Sequence, residues 1–249
     1  MNLPASRWVR RLAHFAALTL EEQRVLEELS ATAGFRYASH QNITKAGDPA
    51  DRMLVVLEGL VYRYRLLADG RRQILGYLFA GDMCDPRELL VPQVSESMCA
   101  LGPAEIALLP VNAAQRLERH ANISLAMARH AFMQQSIMRE WVINVGQRTA
   151  YERLSHLICE IYTRLACVGL TRDFSFDLPL TQAELGDTLA LSAVHVNRTL
   201  MELRRLKLVT FQNRHVVIHD FAALKVAAGF DPAYLTSHEK SRHPVENLA

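Results

Sequence analysis

The sequence predicts an α+β protein with an N-terminal double-stranded β-roll, a long dimerisation helix and a C-terminal winged helix-turn-helix. Three observations support this fold class. Residues 34–110 carry short alternating stretches interrupted by glycines, a pattern typical of small β-structures. Residues 111–145 have an unbroken helical pattern, and residues 180–209 contain two short amphipathic helices joined by a tight turn.

The composition restricts the class of protein. Apolar residues make up 50% of the 249 positions, which is enough for one or two domains with a sizeable core. No apolar run approaches the about 20 residues of a membrane span, and the N-terminus lacks the apolar region of a signal peptide. We therefore expect a cytoplasmic protein without a membrane partner. The net charge of +2 is nearly neutral, so any DNA-binding surface has to be local.

The cysteines exclude several kinds of site. Cys84, Cys99, Cys159 and Cys167 are scattered along the chain and form no CxxC pair. This pattern is typical of thiols in a reducing compartment, and it offers no disulfide framework, iron–sulfur cluster or zinc finger. We predict no metal site and no catalytic residue.

The predicted roll begins after a short amphipathic helix over residues 18–31. Thr19 and Glu22 have the spacing of a capping box at its start. From residue 34 to residue 110, glycines recur at close to the spacing seen in β-barrels and rolls, which predicts about eight strands. Asp69 and Gly70 lie between two alternating stretches and predict a hairpin with a type I′ turn.

Residues 111–145 predict one helix of about 30 residues, which would span roughly 45 Å. Its apolar surface is wider than the β-roll alone can cover, and steps of three and four residues form a coiled-coil-like seam. The alternatives are a core helix of a larger monomer and a dimer helix, and a second copy of the chain is the simpler partner. The predicted seam consists of Met127, Ala131, Gln134, Met138, Trp141 and Val145.

A second helix follows the seam. Gly146 lies where the long helix is expected to end and marks a candidate hinge. Thr149 and Glu152 again have capping-box spacing, and the helix they start continues to about Cys167. At the other end of the chain, the polar residues 236–249 are expected to form a flexible tail.

The helix-turn-helix starts at Thr181, which has capping-box spacing with Glu184. The turn is expected at Ala190 and Leu191, and Ser192 is the expected N-cap of the second helix. Residues that face inward recur at helical spacing in both helices. They are Leu185, Thr188 and Leu189 in the first helix and Val196, Leu200, Leu203 and Leu206 in the second.

The exposed start of the second helix carries residues suited to DNA. In a helix-turn-helix this end enters the major groove. Arg198 and Asn197 match guanine and adenine, and VTFQNRHVVIHD (209–220) predicts a small β-hairpin wing. Between residues 181 and 219, five Lys or Arg stand against three acids, a modest basic excess. The alternative is an ordinary helical hairpin.

A β-roll, a long helix, a glycine hinge and a winged helix-turn-helix, in this order, resemble the Crp/Fnr family of bacterial transcription regulators. The resemblance covers residues 18–235 and is strongest in LTQAELGDTLALSAVHVNRTLMELRRL, in GDM and in REWVINVGQRTAYERLSHLICEI. The last segment is similar to a subgroup common in α-proteobacteria. The resemblance implies a cyclic-nucleotide-binding-like roll that senses an input, a homodimer, double-stranded DNA as partner and a contact with RNA polymerase.

The roll departs from the family members that bind cyclic AMP. Where those members have a glutamate for the ribose and Arg-Ser for the phosphate, this chain has Pro86 and Glu96-Ser97. Pro86 has no side-chain acceptor and no N–H, and Glu96 places an anion where the phosphate needs a cation. We therefore predict no useful affinity for cyclic AMP. A candidate pocket for another effector comprises Met83, Cys84, Asp85, Arg87 and Ser97.

Two other sensory branches of the family use metal cofactors. The oxygen-sensing branch has an N-terminal cysteine cluster, whereas the first cysteine here is Cys84. The haem-bearing branch leaves His40, His120 and His130 as candidate ligands, but lone histidines are usually structural or solvated. We predict no cofactor.

The resemblance also implies DNA-reading positions, which match Ala193, Val194, Asn197 and Arg198. Arg198 fits a guanine contact. Val194 stands where relatives have a glutamate that accepts from cytosine, and it can only touch a thymine methyl group, so the half-site should differ. Residues predicted to contact phosphates are Thr181, Ser192 and His195.

These observations divide the chain into an N-terminal helix and roll (1–110), a dimerisation helix with hinge (111–147), a DNA-binding head (148–235) and a tail (236–249). There are two alternative functions. An enzyme on a cupin-like roll would need two histidines and a carboxylate for a metal, but His40 is the only histidine in the roll segment, so we predict no enzyme. The other is a cyclic-nucleotide-like signalling module that does not bind DNA.

Overall fold

The computed structural model describes residues 5–32, 34–84 and 89–236. Its N-terminal part contains two helices and, within the described residues, seven strands, where the sequence predicted one helix and about eight strands. The capping box of the second helix is present, with the Thr19 N–H donating to Glu22 Oε2 at 2.8 Å. The elements are α1 Arg7–Ala13, α2 Leu20–Thr32, β1 Gly34–Tyr37, β2 Asn42–Thr44, β3 Arg52–Glu58, β4 Leu60–Leu66, β5 Arg72–Phe79, β6 Ser97–Ala100 and β7 Ala104–Pro110.

The strands form two antiparallel sheets, β1–β7–β3 and β2–β6–β4–β5. Between the sheets lies a small apolar core that includes Val56, Leu78 and Ile106. The outer face is covered by helices, and Trp8 and Leu12 of α1 belong to the larger core that continues into the C-terminal half. This arrangement confirms the predicted double-stranded β-roll.

The β4–β5 hairpin is present, but its turn differs from the predicted one. A type I′ turn needs positive φ at both central residues. Gly70 has a φ of +85°, whereas Asp69 is not among the positive-φ residues. The Leu67 N–H donates to the Arg71 carbonyl at 2.8 Å, so the loop is longer than two residues. The predicted turn type was wrong.

The helix predicted from residue 111 is in fact two helices, α3 Val111–Glu118 and α4 Ala121–Gln147. His120 separates them with an extended backbone at φ −91° and ψ 110°. The break carries no glycine or proline, and each helix packs on its own partner. α3 lies against the roll, whereas α4, with 27 residues, extends about 40 Å. The prediction of one continuous helix was wrong.

The C-terminal half forms a compact head. It begins with the predicted capping box, in which the Thr149 N–H donates to Glu152 Oε2 at 2.7 Å. Its strands form a small sheet in the order β8–β10–β9. The elements are α5 Ala150–Ala166, β8 Ser175–Asp177, α6 Gln182–Leu189, α7 Ala193–Arg205, β9 Val209–Gln212, β10 His215–Ile218, α8 Phe221–Ala228 and a 3₁₀ helix at Pro232–Leu235.

The head is packed against the roll as well as joined to it through α4. Helix α6 lies on β5, and the buried Arg164 of α5 reaches Asp82, which follows β5, at 2.9 Å. Sequence patterns did not predict either contact. None of the described helices is both long enough and apolar enough to cross a membrane.

Candidate nucleic-acid interface

The first helix of the helix-turn-helix, α6, begins with a capping box at its N-terminus. The Thr181 side chain accepts from the Glu184 N–H at 3.2 Å, and the Thr181 N–H donates to Glu184 Oε2 at 2.8 Å. This is the predicted capping box, which satisfies two backbone donors of the first turn. Leu185, Thr188 and Leu189 are buried, as predicted.

The turn between the helices is tight. Ala190 adopts the left-handed conformation at φ 54°, and the Leu191 N–H donates to the Gly186 carbonyl at 3.1 Å. A Cβ atom on Gly186 would lie 2.5 Å from the Leu191 carbonyl oxygen, so only glycine allows this close approach. Both helices form with alanine in the turn, at the position predicted for it.

The second helix, α7, starts at Ser192. The Ser192 hydroxyl accepts from the His195 N–H at 3.3 Å and lies 3.1 Å from His195 Nδ1. Both residues are exposed. Ser192 therefore serves as the N-cap and also orients the His195 ring, whose Nε2 atom faces away from the cap.

The two faces of α7 differ strongly. Val196, Thr199 and Leu203 are buried, whereas Val194 is 69% exposed. Of the predicted buried stripe, Leu200 is half-buried and Leu206 is 43% exposed. Leu206 was wrongly placed because α7 ends at Arg205. The solvent-facing residues of the first turns are Ala193, Val194, His195, Asn197, Arg198 and Met201.

Two of these side chains carry the donors and acceptors for base edges. Within the described part of the chain, no side chain forms a hydrogen bond or ion pair with Arg198, so its guanidinium group is available to a ligand. Asn197 Oδ1 accepts from Gln182 Nε2 at 3.3 Å. Sequence reasoning missed Gln182, because nothing in the pattern of α6 shows which residue lies beside α7.

The wing packs against α7 through β9. Strands β9 and β10 pair in register from Gln212–His215 to Val209–Ile218. The two residues between them, Asn213 and Arg214, have φ values of 51° and 62°. Positive φ at both positions is the requirement of a type I′ hairpin. The predicted wing is confirmed, and its tip carries the exposed Arg214.

The exposed surface of residues 181–219 is more basic than the five cations and three acids counted in the sequence suggest. Glu184 is 4% exposed and serves as a cap, and Asp187 is paired with Arg72 at 2.8 Å. Of the three acids in the segment, only Glu202 remains fully exposed. The five cations of the segment are all exposed, and they are Arg198, Arg204, Arg205, Lys207 and Arg214.

Both halves of the chain match models of known protein families. A family model described as a Crp-like helix-turn-helix domain covers residues 152–227, and one described as a cyclic nucleotide-binding domain covers residues 35–120. The transcriptional activator protein FnrL of Cereibacter sphaeroides is 27% identical over 233 residues, which is 90% of either chain. A probable transcriptional activator of Rhizobium leguminosarum is 29% identical over 172 residues, 68% of this chain and 70% of the relative.

The fold agrees as well. The solved structure of FixK2 from Bradyrhizobium japonicum superposes with a TM-score of 0.66 at 25% identity, over 80% of this chain and 98% of the other. The chain belongs to the Crp/Fnr family. It is a DNA-binding transcription regulator, and the alternative of a signalling module that does not bind DNA is not favoured.

Of the effector pocket predicted for this Crp/Fnr regulator, three residues are described, and they do not share one cavity. Met83 lines a cavity of about 510 Å³ between the roll and α4, together with Arg63, Ser95, His130 and Gln134. Cys84 points to the other side and lines a separate cavity of about 260 Å³. Ser97 lines neither cavity, and its hydroxyl accepts from the Ala46 N–H at 3.1 Å. Asp85 and Arg87 lie outside the described residues, as does Pro86.

Glu96 of this regulator is held inside the roll. Its carboxylate forms an ion pair with Arg63 of β4, and the two side chains are 10% and 18% exposed. The anion that sequence comparison placed at the phosphate position therefore has a cation from the same chain.

The candidate haem ligands are not equivalent. His40 is exposed, 3.7 Å from Glu184, and His120 is half-buried at the start of α4. His130 is 1% exposed, and its Nε2 atom lies 3.2 Å from Asp82 Oδ1. Within the described residues, no group of three or more histidine, cysteine or acidic side chains is placed to hold a metal ion.

The seam that we predicted on α4 has to be corrected. Met127, Ala131 and Trp141 are 4%, 4% and 7% exposed because they pack inside the protomer. Gln134 is half-buried, and only Met138 and Val145 of the predicted set are exposed. The exposed stripe lies one step around the helix and consists of Leu125, Ala128, Phe132, Gln135, Met138, Val142 and Val145.

Proposed function

We propose that this regulator binds a pseudo-palindromic DNA site as a homodimer, with one α7 helix in the major groove of each half-site. The observation that carries the proposal is the exposed first turn of α7, where Arg198, Asn197 and Val194 face solvent on a capped helix-turn-helix. Two such helices read half-sites about 34 Å apart, one turn of DNA.

The side chains of α7 support specific roles. Arg198 donates two hydrogen bonds to guanine, worth about 1–3 kcal/mol of discrimination, and Asn197 pairs with adenine. Val194, 69% exposed, contacts a thymine methyl group. Thr181, Ser192 and His195 bind phosphates and set the orientation of the helix without reading sequence.

The exposed stripe of α4 is the dimer interface in this proposal. Phe132 and Val142 are 61% and 65% exposed in the single protomer, and Leu125 is 44% exposed. Steps of three and four residues place these side chains on one face, as in a two-stranded coiled coil. A second copy of α4 would cover them.

The roll receives the regulatory input in this proposal, and the domain division predicted from sequence is retained. An effector that fits the cavity beside α4 would act by binding one arrangement of the two α4 helices more tightly than the other. The Arg63–Glu96 pair supports a site that does not accept cyclic AMP, because Glu96 repels a phosphate and already neutralises Arg63. RNA polymerase in the cytoplasm is the expected partner after DNA.

The experiment is selection of a random duplex library by the purified, effector-free protein. We expect an enriched inverted repeat whose half-site contains a guanine, and loss of its enrichment in Arg198→Ala with the fold intact. A folded, dimeric protein that enriches no repeat, alone or with a cell metabolite extract, would contradict the proposal.

A further inference from the structure

The helix-turn-helix is attached to the roll by a buried hydrogen bond. Tyr77 of β5 and Thr188 of α6 are 1% and 2% exposed, and their hydroxyl oxygens lie 2.5 Å apart. The Thr188 hydroxyl donates to the Glu184 carbonyl at 2.8 Å. Tyr77 is therefore the donor of the shared bond, and its direction is fixed.

A second contact lies beside the first. Arg72 Nε and Nη2 both lie 2.8 Å from Asp187 Oδ2, and the two side chains are 28% and 31% exposed. Arg72 is itself held by Tyr62, whose hydroxyl accepts from Nη1 at 3.1 Å. A guanidinium group fixed on both sides presents its charge to α6 in one orientation. We name these four residues, Arg72, Tyr77, Asp187 and Thr188, the roll–head clamp.

The roll–head clamp also touches the dimer helix. The Tyr77 ring packs edge-on against Trp141 of α4, with ring centroids 5.6 Å apart. One strand of the roll therefore contacts both α4, which carries the exposed stripe, and α6, the first helix of the DNA-binding motif.

The roll–head clamp leaves the reading face open. It uses the side of α6 that bears Asp187 and Thr188, whereas Asn197 and Arg198 of α7 remain exposed. The clamp thus holds the head without covering the residues that contact DNA.

We propose that the roll–head clamp determines which half-site spacing the regulator accepts, a role that rests on the dimeric DNA binding proposed above. When the head is fixed to the roll, and the rolls are joined through α4, the two α7 helices have one separation. Binding of the second half-site is then an intramolecular step whose effective concentration is high only for repeats with the matching spacer. If the head were not fixed to the roll, the two α7 helices could bind half-sites separated by spacers of several lengths, and no one length would be preferred.

The test compares Arg72→Ala with Arg71→Ala. Arg71 is the matched control, because it is the neighbouring arginine and pairs with Asp69 inside the same hairpin at 2.7 Å. Affinities are measured for the selected inverted repeat, for the same repeat with its spacer changed by two base pairs, and for one isolated half-site. We expect Arg72→Ala to lower the preference for the correct spacer by about three- to tenfold while half-site affinity stays within about twofold of the original protein. Arg71→Ala should keep both values.

Charge exchange gives an independent readout. Arg72→Asp and Asp187→Arg should each reduce spacer preference, and the double variant should restore it. Tyr77→Phe combined with Thr188→Val should reproduce the Arg72→Ala result. Unchanged spacer preference in Arg72→Ala, or tighter binding to the correct repeat, would overturn the role of the clamp. Failure of the original protein to bind repeat and half-site alike would instead overturn the proposed function.

Discussion

Asp82 of the roll and Arg164 of α5 form a buried ion pair, with Arg164 Nη2 2.9 Å from Asp82 Oδ2 and side chains that are 0% and 1% exposed. Asp82 Oδ1 also lies 2.9 Å from Arg11 Nε and 3.2 Å from His130 Nε2. One carboxylate thus joins the roll to α1, α4 and the head. Burial raises the pKa of Asp82, but the charges of the Arg11 and Arg164 guanidinium groups lower it by more. The pKa of Asp82 is therefore well below its usual range.

Removing this carboxylate should destabilise the whole protein. Asp82→Ala removes the carboxylate that is paired with buried Arg11 and leaves buried Arg164 only its contact with Glu160, 3.4 Å away. Breaking a buried pair in this way costs about 3–5 kcal/mol. We expect that loss in the free energy of unfolding, measured by urea denaturation. The control is Asp69→Ala, whose ion pair with Arg71 is 52% and 76% exposed and contributes at most about 1 kcal/mol. Equal effects of the two variants would contradict the role of Asp82.

Stability should also depend on His156 in mildly acidic solution. Its ring is stacked on Tyr234 at 6.1 Å between centroids and meets Phe230 edge-on at 5.2 Å. Burial, and then the charge of Arg148, lower the pKa of His156 to about 3. Below about pH 6.5, His156 becomes protonated in the unfolded state but stays neutral in the folded state. The free energy of unfolding therefore decreases as the pH is lowered.

The measurement is the free energy of unfolding between about pH 6.5 and pH 4. His156→Phe should make this dependence shallower by up to about 1.4 kcal/mol per pH unit. His195→Ala, which changes an exposed histidine, should leave it as it is. A slope that His156→Phe does not alter would count against a neutral, buried His156.

If the exposed stripe of α4 is the dimer interface, substitutions at two neighbouring residues of α4 should have different outcomes. Phe132→Glu places a charge on the exposed stripe and should yield folded monomers in analytical ultracentrifugation. Ala131→Glu places the same charge at a position that is 4% exposed inside the protomer, and should lower the melting temperature instead. A folded monomer from Ala131→Glu, with Phe132→Glu still dimeric, would support the seam originally predicted from sequence.

Gln182 should affect specificity at one base pair. Its Nε2 atom donates to Asn197 Oδ1 and holds the amide that is proposed to read adenine. Gln182→Ala should weaken discrimination at the base pair read by Asn197 alone.

Arg214→Ala at the wing tip should weaken binding to all sequences alike and reduce the salt dependence by about one counterion. Measurements of affinity against salt for a set of single-base variants separate these two effects.

Local signals in the sequence predicted the head well. Capping boxes at Thr149 and Thr181 determine helix starts through neighbouring residues, and the wing turn lies between two alternating strands. The dimer seam was misplaced because α4 is apolar on several sides, so spacing alone did not show which apolar face stays within the protomer. Met127 is buried in the core of the protomer, whereas Phe132 is exposed on its surface.

Contacts between distant residues could not be predicted from patterns. The Tyr77–Thr188 and Arg72–Asp187 bonds join residues 111 and 115 positions apart. Hydrophobic periodicity shows that a helix has a buried face but does not show against which element that face packs. The break at His120 was missed for a related reason, because α3 and α4 separate where their packing partners change.

The most direct test of the account is binding of the original protein and Arg198→Ala to four duplexes that differ only at the guanine of the selected half-site. The account predicts that the original protein prefers guanine by about 1–3 kcal/mol and that Arg198→Ala binds the four duplexes equally. An Arg198→Ala protein that keeps the guanine preference, or that loses the same factor on all four duplexes, would contradict base reading by α7.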